Sequence, residues 1–393
     1  MRNVILIILF SVHITSFAQL KEGFDPEETR DMIAICNSFS YLKMYGQDTD
    51  IVPSNYKKTY TSETIGMDNK FQVYVSGNTG VINFRGSTAE KISWLENFHS
   101  AMIPASGKIS IDEVSYKCEF SLDTAAAVHG GFALATVFMQ EEIIKQIKKL
   151  NQQGIYHIIL TGHSQGGALS QMFRAYLELA KGSKISDRNV FKTYAFASPK
   201  IGNAAFVSDY NTNYCNGWSF NIINPKDMVP TFPLSYNDKS LFTKENMVKI
   251  IFANDSIGFK DRLVDESIRR FESSISSIFN TVGSMVSDEI SKDVAKVEMP
   301  DYEKDFNYGS LDELIRISPV QYPLVLKDST ILDNDSLIAT YPLDENGFFE
   351  NKKLYQSEPM LYQHKPYNYY VSILKQYFPK EYADLEKKWY VKN

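Results

Sequence analysis

The sequence predicts an α/β protein: a mainly parallel sheet covered by helices on both faces. Two observations carry this. Segments with helical and strand periodicity alternate between residues 71 and 223, and a serine enclosed by glycines, ILTGHSQGG, sits where a strand hands over to a helix. The composition agrees, since 44% hydrophobic and 22% charged residues in a chain of 393 suffice to bury a large core.

The first residues, MRNVILIILFSVHITSFAQ, combine a basic start, an apolar run from Val4 to Phe17 and a small-residue site before Gln19. That pattern predicts a signal peptide over residues 1–18 and a secreted or periplasmic protein. The apolar run falls short of the roughly 20 residues needed to span a bilayer. A formal charge of −6 leaves no basic surface for nucleic acid or anionic lipid. Three scattered cysteines, Cys36, Cys118 and Cys215, make neither a disulfide framework nor a metal knuckle and read as buried thiols.

Asp25-Pro26-Glu27-Glu28 supplies a cap, a first-turn proline and an acid at the third position, so a helix is expected from there to about Met44. Alternation from Phe71 to Arg85, broken at Gly77-Asn78-Thr79-Gly80, predicts a hairpin. Helical spacing over 132–150 (Met139, Ile143, Ile147, Leu150), a short strand Tyr156–Leu160 and a helix over 165–180 follow. Phe191–Ala197 and Trp218–Ile223 read as two further strands. This rhythm assigns 19–236 and 356–393 to one domain and 237–355 to a largely helical insertion. Within the insertion, Val264, Ile268, Phe271, Ile275, Ile278, Val282 and Met285 mark one face of a long helix.

A serine on a sharp strand-to-helix turn has its hydroxyl held out at the end of the sheet, and only small neighbours leave it accessible. Gly162 and Gly166 complete G-x-S-x-G around Ser164. A serine hydroxyl attacks only when a histidine takes its proton and a carboxylate orients that histidine. In this arrangement the acid and then the histidine follow the serine along the chain. Of six histidines, His13, His99, His129, His157 and His163 precede Ser164, and only His364 follows. Many carboxylates follow; Asp227 is favoured because it lies just past the Trp218–Ile223 strand, where such sheets place their functional groups. Candidates for the catalytic set are therefore Ser164, Asp227 and His364. Nothing at ligand spacing calls for a metal or an organic cofactor.

Val81-Ile82-Asn83-Phe84-Arg85-Gly86-Ser87, Trp94, Val128-His129-Gly130-Gly131-Phe132, the Ser164 turn, Phe196-Ala197-Ser198-Pro199-Lys200-Ile201-Gly202-Asn203 and Asn224-x-x-Asp227-x-Val229-Pro230 together resemble the ordered motifs of the class 3 (fungal-type) lipases. The resemblance covers roughly residues 65–235 and returns around His364. It implies an α/β-hydrolase fold and hydrolysis of carboxylic esters, with lipid or other esters as substrate and transient contact with a lipid interface. It further implies that the amides of Ser87 and Gln165 form the oxyanion hole, that Arg85 braces its loop, and that Thr88–His99 is the hinged lid, with Trp94 and Phe98 as its apolar contacts. Glu90, Lys91 and Glu96 interrupt that lid, so strong interfacial activation does not follow. Phospholipase A1 and polysaccharide-ester hydrolase activities fit the same motifs. A catalytically silent binding protein of this fold is the rival reading, and it has no need of the full set of residues.

Overall fold

Residues 20–40, 48–233, 286–304, 307–333, 338, 340–359 and 361–390 are described by a computed structural model. The expected leader and the apolar stripe from Val264 to Met285 lie outside these residues. Along the chain the elements are α1 (Pro26–Asn37), β1 (Lys57–Thr61), β2 (Phe71–Ser76), β3 (Thr79–Phe84), α2 (Lys91–Phe98), β4 (Met102–Pro104), β5 (Ser106–Ile111), β6 (Val114–Glu119), β7 (Ala127–His129), α3 (Gly130–Gln152), β8 (His157–His163), α4 (Gln165–Ala180), β9 (Val190–Phe196), α5 (Ala204–Tyr214), β10 (Ser219–Ile223), β11 (Val297–Glu298), β12 (Leu314–Arg316), α6 (Pro366–Tyr377) and α7 (Pro379–Asp384).

The central sheet runs β1-β2-β3-β8-β9-β10-β12. From β3 to β12 every neighbouring pair is parallel, while β1 and β2 join antiparallel at one edge. Successive side chains of a strand point to opposite faces, and the two cores divide accordingly. Ile82, Ile158, Leu160 and Phe191 pack with α3 and α4. Val81, Ile159, Tyr194 and Phe220 pack with α1 and α6. The predicted mainly parallel sheet with both faces covered is therefore the observed architecture, that of an α/β-hydrolase.

Local differences have local causes. The Asp25 side chain caps α1 as expected, accepting from the amides of Glu27 and Glu28 at 2.8 and 3.1 Å. The helix stops at Asn37 rather than near Met44, because Asn37 Nδ2 and Ser38 Oγ turn back onto the carbonyls of Ile33 and Ile35. The β2–β3 turn takes only Gly77 and Asn78, with Gly77 at φ 56°. Gly80 is already strand, and its bare Cα accommodates Leu150 of α3.

Two features carried no sequence signal. β5 and β6 form a hairpin whose turn, Asp112-Glu113, holds both residues at positive φ without a glycine. β11 extends that hairpin, and β12 pairs with β10 at the far edge of the central sheet. The segment expected as an insertion thus supplies a strand to the main sheet. Among its described residues, 286–293 and residue 338 are α-helical, and the rest is irregular apart from β11, β12 and two short 3-10 turns, so the described part is not largely helical.

Candidate active site

Ser164 stands between β8 and α4 with φ 61° and ψ −129°, a conformation that costs a non-glycine residue energy and persists only when its surroundings enforce it. The enforcement is tight packing. A Cβ on Gly162 would meet the Gly166 carbonyl oxygen at 2.2 Å, and one on Gly166 would meet the Phe84 carbonyl oxygen at 2.2 Å. The Ser164 amide donates to the Phe196 carbonyl at 2.9 Å, fixing the turn to β9.

His364 lies 200 residues further on, just before α6, and is 1% exposed. Its loop is secured by polar side chains: Asn368 Nδ2 donates to the Tyr362 carbonyl at 2.7 Å and Gln363 Nε2 to the Val320 carbonyl at 2.8 Å. Asp227 is 5% exposed in the turn after β10, where its Oδ1 accepts from the Val229 amide at 3.0 Å. Asn224 opens that turn and ties it to the histidine loop by donating to Gln363 Oε1 at 2.7 Å.

The structure brings the three candidates into one line. His364 Nδ1 lies 2.8 Å from Asp227 Oδ2, and His364 Nε2 lies 2.8 Å from Ser164 Oγ. A carboxylate only accepts, so Nδ1 carries the proton and Nε2 is left to accept from the serine hydroxyl. Tyr369 of α6 adds a bond that carries no sequence signal, its hydroxyl donating to Asp227 Oδ2 at 2.8 Å. The same hydroxyl accepts from the Asn224 amide at 3.1 Å. Burial, then the Asp227 charge, push this phenol well above its usual range, so it stays a donor.

The other histidines have different surroundings. His163 packs its ring 4.7 Å from that of His364 and edge-on to Tyr369. Burial, and next the nearby His364, hold it well below the usual imidazole range. His99 Nε2 meets the Tyr302 hydroxyl at 2.8 Å, and His129 caps α3 with its ring stacked on Phe132. Burial lowers these two to about 4 and about 3.

Gly86 brings the Ser87 loop against the serine turn: a Cβ there would lie 2.7 Å from the His163 carbonyl oxygen and 3.5 Å from Ser164 Cβ. Ser87 and Gln165 are cross-linked, the Ser87 hydroxyl donating to Gln165 Oε1 at 2.8 Å. Arg85 braces this loop through an ion pair with Asp68 at 3.0 Å.

The expected lid is the helix α2. Its Ser93 and Asn97 reach Gln165 Oε1 at 3.3 and 3.2 Å. Trp94 and Phe98 come one residue later, about 100° further round the helix, as a half-buried ring pair 5.8 Å apart. Lys91 at the start of α2 pairs with Glu289 of the 286–293 helix. Among the described residues no group of three or more His, Cys, Asp or Glu is arranged to hold a metal ion, and no helix is long and apolar enough to cross a membrane. Cys36, Cys118 and Cys215 are buried and unbridged.

A family model described as Lipase (class 3) matches residues 81–237. The secreted mono- and diacylglycerol lipase LIP4 of Malassezia restricta is 29% identical over 163 residues, which is 41% of this chain and 49% of that protein. The secreted mono- and diacylglycerol lipase A of Penicillium cyclopium is 34% identical over 105 residues, 26% of this chain and 32% of that protein. The chain thus spans about half the length, or less, of these curated relatives. Among solved structures, a Rhizomucor miehei triacylglyceride lipase aligns at 22% identity and a TM-score of 0.40, covering 55% of this chain and 77% of that one. The matched segment contains the Ser87 loop, Ser164 and Asp227, so over residues 81–237 the chain is similar to the class 3 lipases.

Proposed function

We propose that this protein is a serine hydrolase that cleaves carboxylic esters through an acyl-enzyme on Ser164. The observation that carries the reading is the line of two 2.8 Å contacts from Ser164 Oγ through His364 to Asp227, beside a loop held against the serine by Gly86.

Ser164 Oγ attacks the ester carbonyl while His364 Nε2 takes its proton, and Asp227 stabilises the imidazolium that forms. The carbonyl oxygen becomes negative and accepts from the amides of Ser87 and Gln165. Collapse breaks the bond to the alcohol, which leaves with the proton from His364. Water then attacks the acyl group, again giving its proton to His364, and the second collapse frees the carboxylic acid and Ser164.

Lipid acyl esters are the proposed substrates, since the relatives named above are mono- and diacylglycerol lipases. Their names also describe them as secreted, which supports export of this chain with residues 1–18 as its leader. Residues 237–355 are proposed as an excursion that contributes β12 and returns the chain to His364. The test is a panel of acyl esters of increasing chain length, with mono-, di- and triacylglycerols, a phospholipid and a feruloyl ester. A fluorophosphonate is run alongside. Hydrolysis of acylglycerols with labelling at Ser164 is expected; labelling elsewhere, or none, would overturn the reading.

A further inference from the structure

Glu96 is a carboxyl with no place in the chemistry above, and it is 0% exposed. Among the described residues no cation pairs with it. Its Oε2 accepts from Asn69 Nδ2 at 2.7 Å, and its Oε1 is buried without a hydrogen bond. Asn69 Oδ1 in turn accepts from Gln165 Nε2 at 3.3 Å. The other end of the Gln165 amide, Oε1, takes the bonds from Ser87, Ser93 and Asn97. One buried chain therefore leads from Glu96 through Asn69 to the side chain of Gln165, and from there to Ser87. Gln165 and Ser87 are the residues whose amides meet the oxyanion in the reading above, on which this inference rests.

We propose that Glu96, in its neutral form, is a positioning residue: through Asn69 it fixes the Gln165 side chain, and so keeps the amides of Gln165 and Ser87 aimed at the developing oxyanion. Two physical facts favour the neutral form. An unpaired carboxylate in a fully buried site pays a large desolvation cost, and its Oε1 here accepts no hydrogen bond. Burial, the largest influence, pushes the group up to about 8; the Asn69 and Gln165 side chains, as hydrogen-bond donors, oppose this, and the charge of Asp68 adds to it. Asp68 is itself paired with Arg85, Lys91 of the same helix is engaged by Glu289, and His99 at the helix end is held neutral by burial. No neighbouring charge therefore compensates a Glu96 carboxylate. Once ionised, it places a negative charge two hydrogen bonds behind the oxyanion donors, opposing the charge they stabilise.

The experiment measures kcat and KM of the full chain on a water-soluble butyrate ester by acid titration, from about pH 6 to about pH 10, a range that brackets the ionisation. Wild type, Glu96→Gln, Glu96→Ala and Ser164→Ala are compared. The wild-type kcat is expected to fall as the pH rises above about 8. Glu96→Gln keeps kcat at neutral pH within roughly threefold of wild type and loses the alkaline fall, whereas Glu96→Ala loses roughly 10- to 100-fold in kcat with little change in KM. A glutamine variant as impaired as the alanine variant, or one that retains the alkaline fall, overturns the inference. So does an alanine variant with wild-type kcat. If the alanine variant does not fold, the glutamine pH profile alone decides. An active Ser164→Ala would instead sink the serine-hydrolase reading, so the two failures are distinguishable.

Discussion

Tyr369 and His364 converge on a single oxygen: the phenol hydroxyl and the imidazole Nδ1 each lie 2.8 Å from Asp227 Oδ2. The carboxylate is thereby held from two directions by α6 and the loop before it, with the Val229 amide on its other oxygen. Hydrogen bonds to a buried charge are worth about 1.5–3 kcal/mol. Tyr369→Phe is therefore expected to lower kcat by roughly tenfold while KM changes little, because this phenol is fully buried behind Asp227. Unchanged kcat in steady-state kinetics would mean that Val229 and His364 hold Asp227 unaided.

Ser164→Ala should abolish turnover, with a loss on the order of a million-fold, and leave the melting temperature near that of wild type. Asp227→Asn keeps the size of the side chain but favours the wrong histidine tautomer, and should cost about ten-thousand-fold. His364→Ala should approach the serine variant. Residual activity above about a tenth in any of the three, measured on purified folded protein, would contradict the proposed roles.

Gly86→Ala tests how closely the Ser87 loop must approach the serine turn. The added Cβ would lie 2.7 Å from a backbone carbonyl oxygen, so the loop must withdraw. A displacement of some tenths of an ångström at an oxyanion donor should lower kcat by about ten- to a hundredfold. Phosphonate labelling slowed in the same ratio would locate the defect in the acylation step.

Stability should depend on pH in two opposed ways. His99 and His129 are lowered by burial to about 4 and about 3, so the unfolded chain binds more protons than the folded one below the ordinary imidazole range. Their contribution is fully present above about pH 6.5 and is lost as the pH falls, at up to about 1.4 kcal/mol per pH unit for each group. Glu96 is raised to about 8, so the folded chain holds the extra proton and stability falls as pH rises from the ordinary carboxyl range towards 8. Urea unfolding at several pH values should show the acid loss in wild type. Glu96→Gln should remove the decline on the alkaline side and leave the acid side unchanged.

Ser164 was legible because everything that makes it special is local: an apolar strand, small residues on either side and a helix directly after it. Helices α3 and α4 and strands β8, β9 and β10 were legible for the same reason: the helices repeat apolar residues at helical spacing, and the strands, buried on both faces, read as short apolar runs. Asp227 could be favoured only by its place after a strand, and His364 only by elimination. β12 was not visible, because three residues of an edge strand inside an irregular segment show no alternation.

By itself, the sequence determined the sheet with its two covering layers, the turn that carries Ser164 and the motifs by which that turn resembles the class 3 lipases. Only the tertiary structure decided what surrounds that turn. Tyr369 lies 142 residues from Asp227, and Glu96 lies 27 from Asn69; both pairs bridge separate elements. Periodicity records which face of an element is buried, because neighbouring residues share that environment. A hydrogen bond between a helix and a distant loop has no such repeat, and it exists only once packing has closed the chain around it.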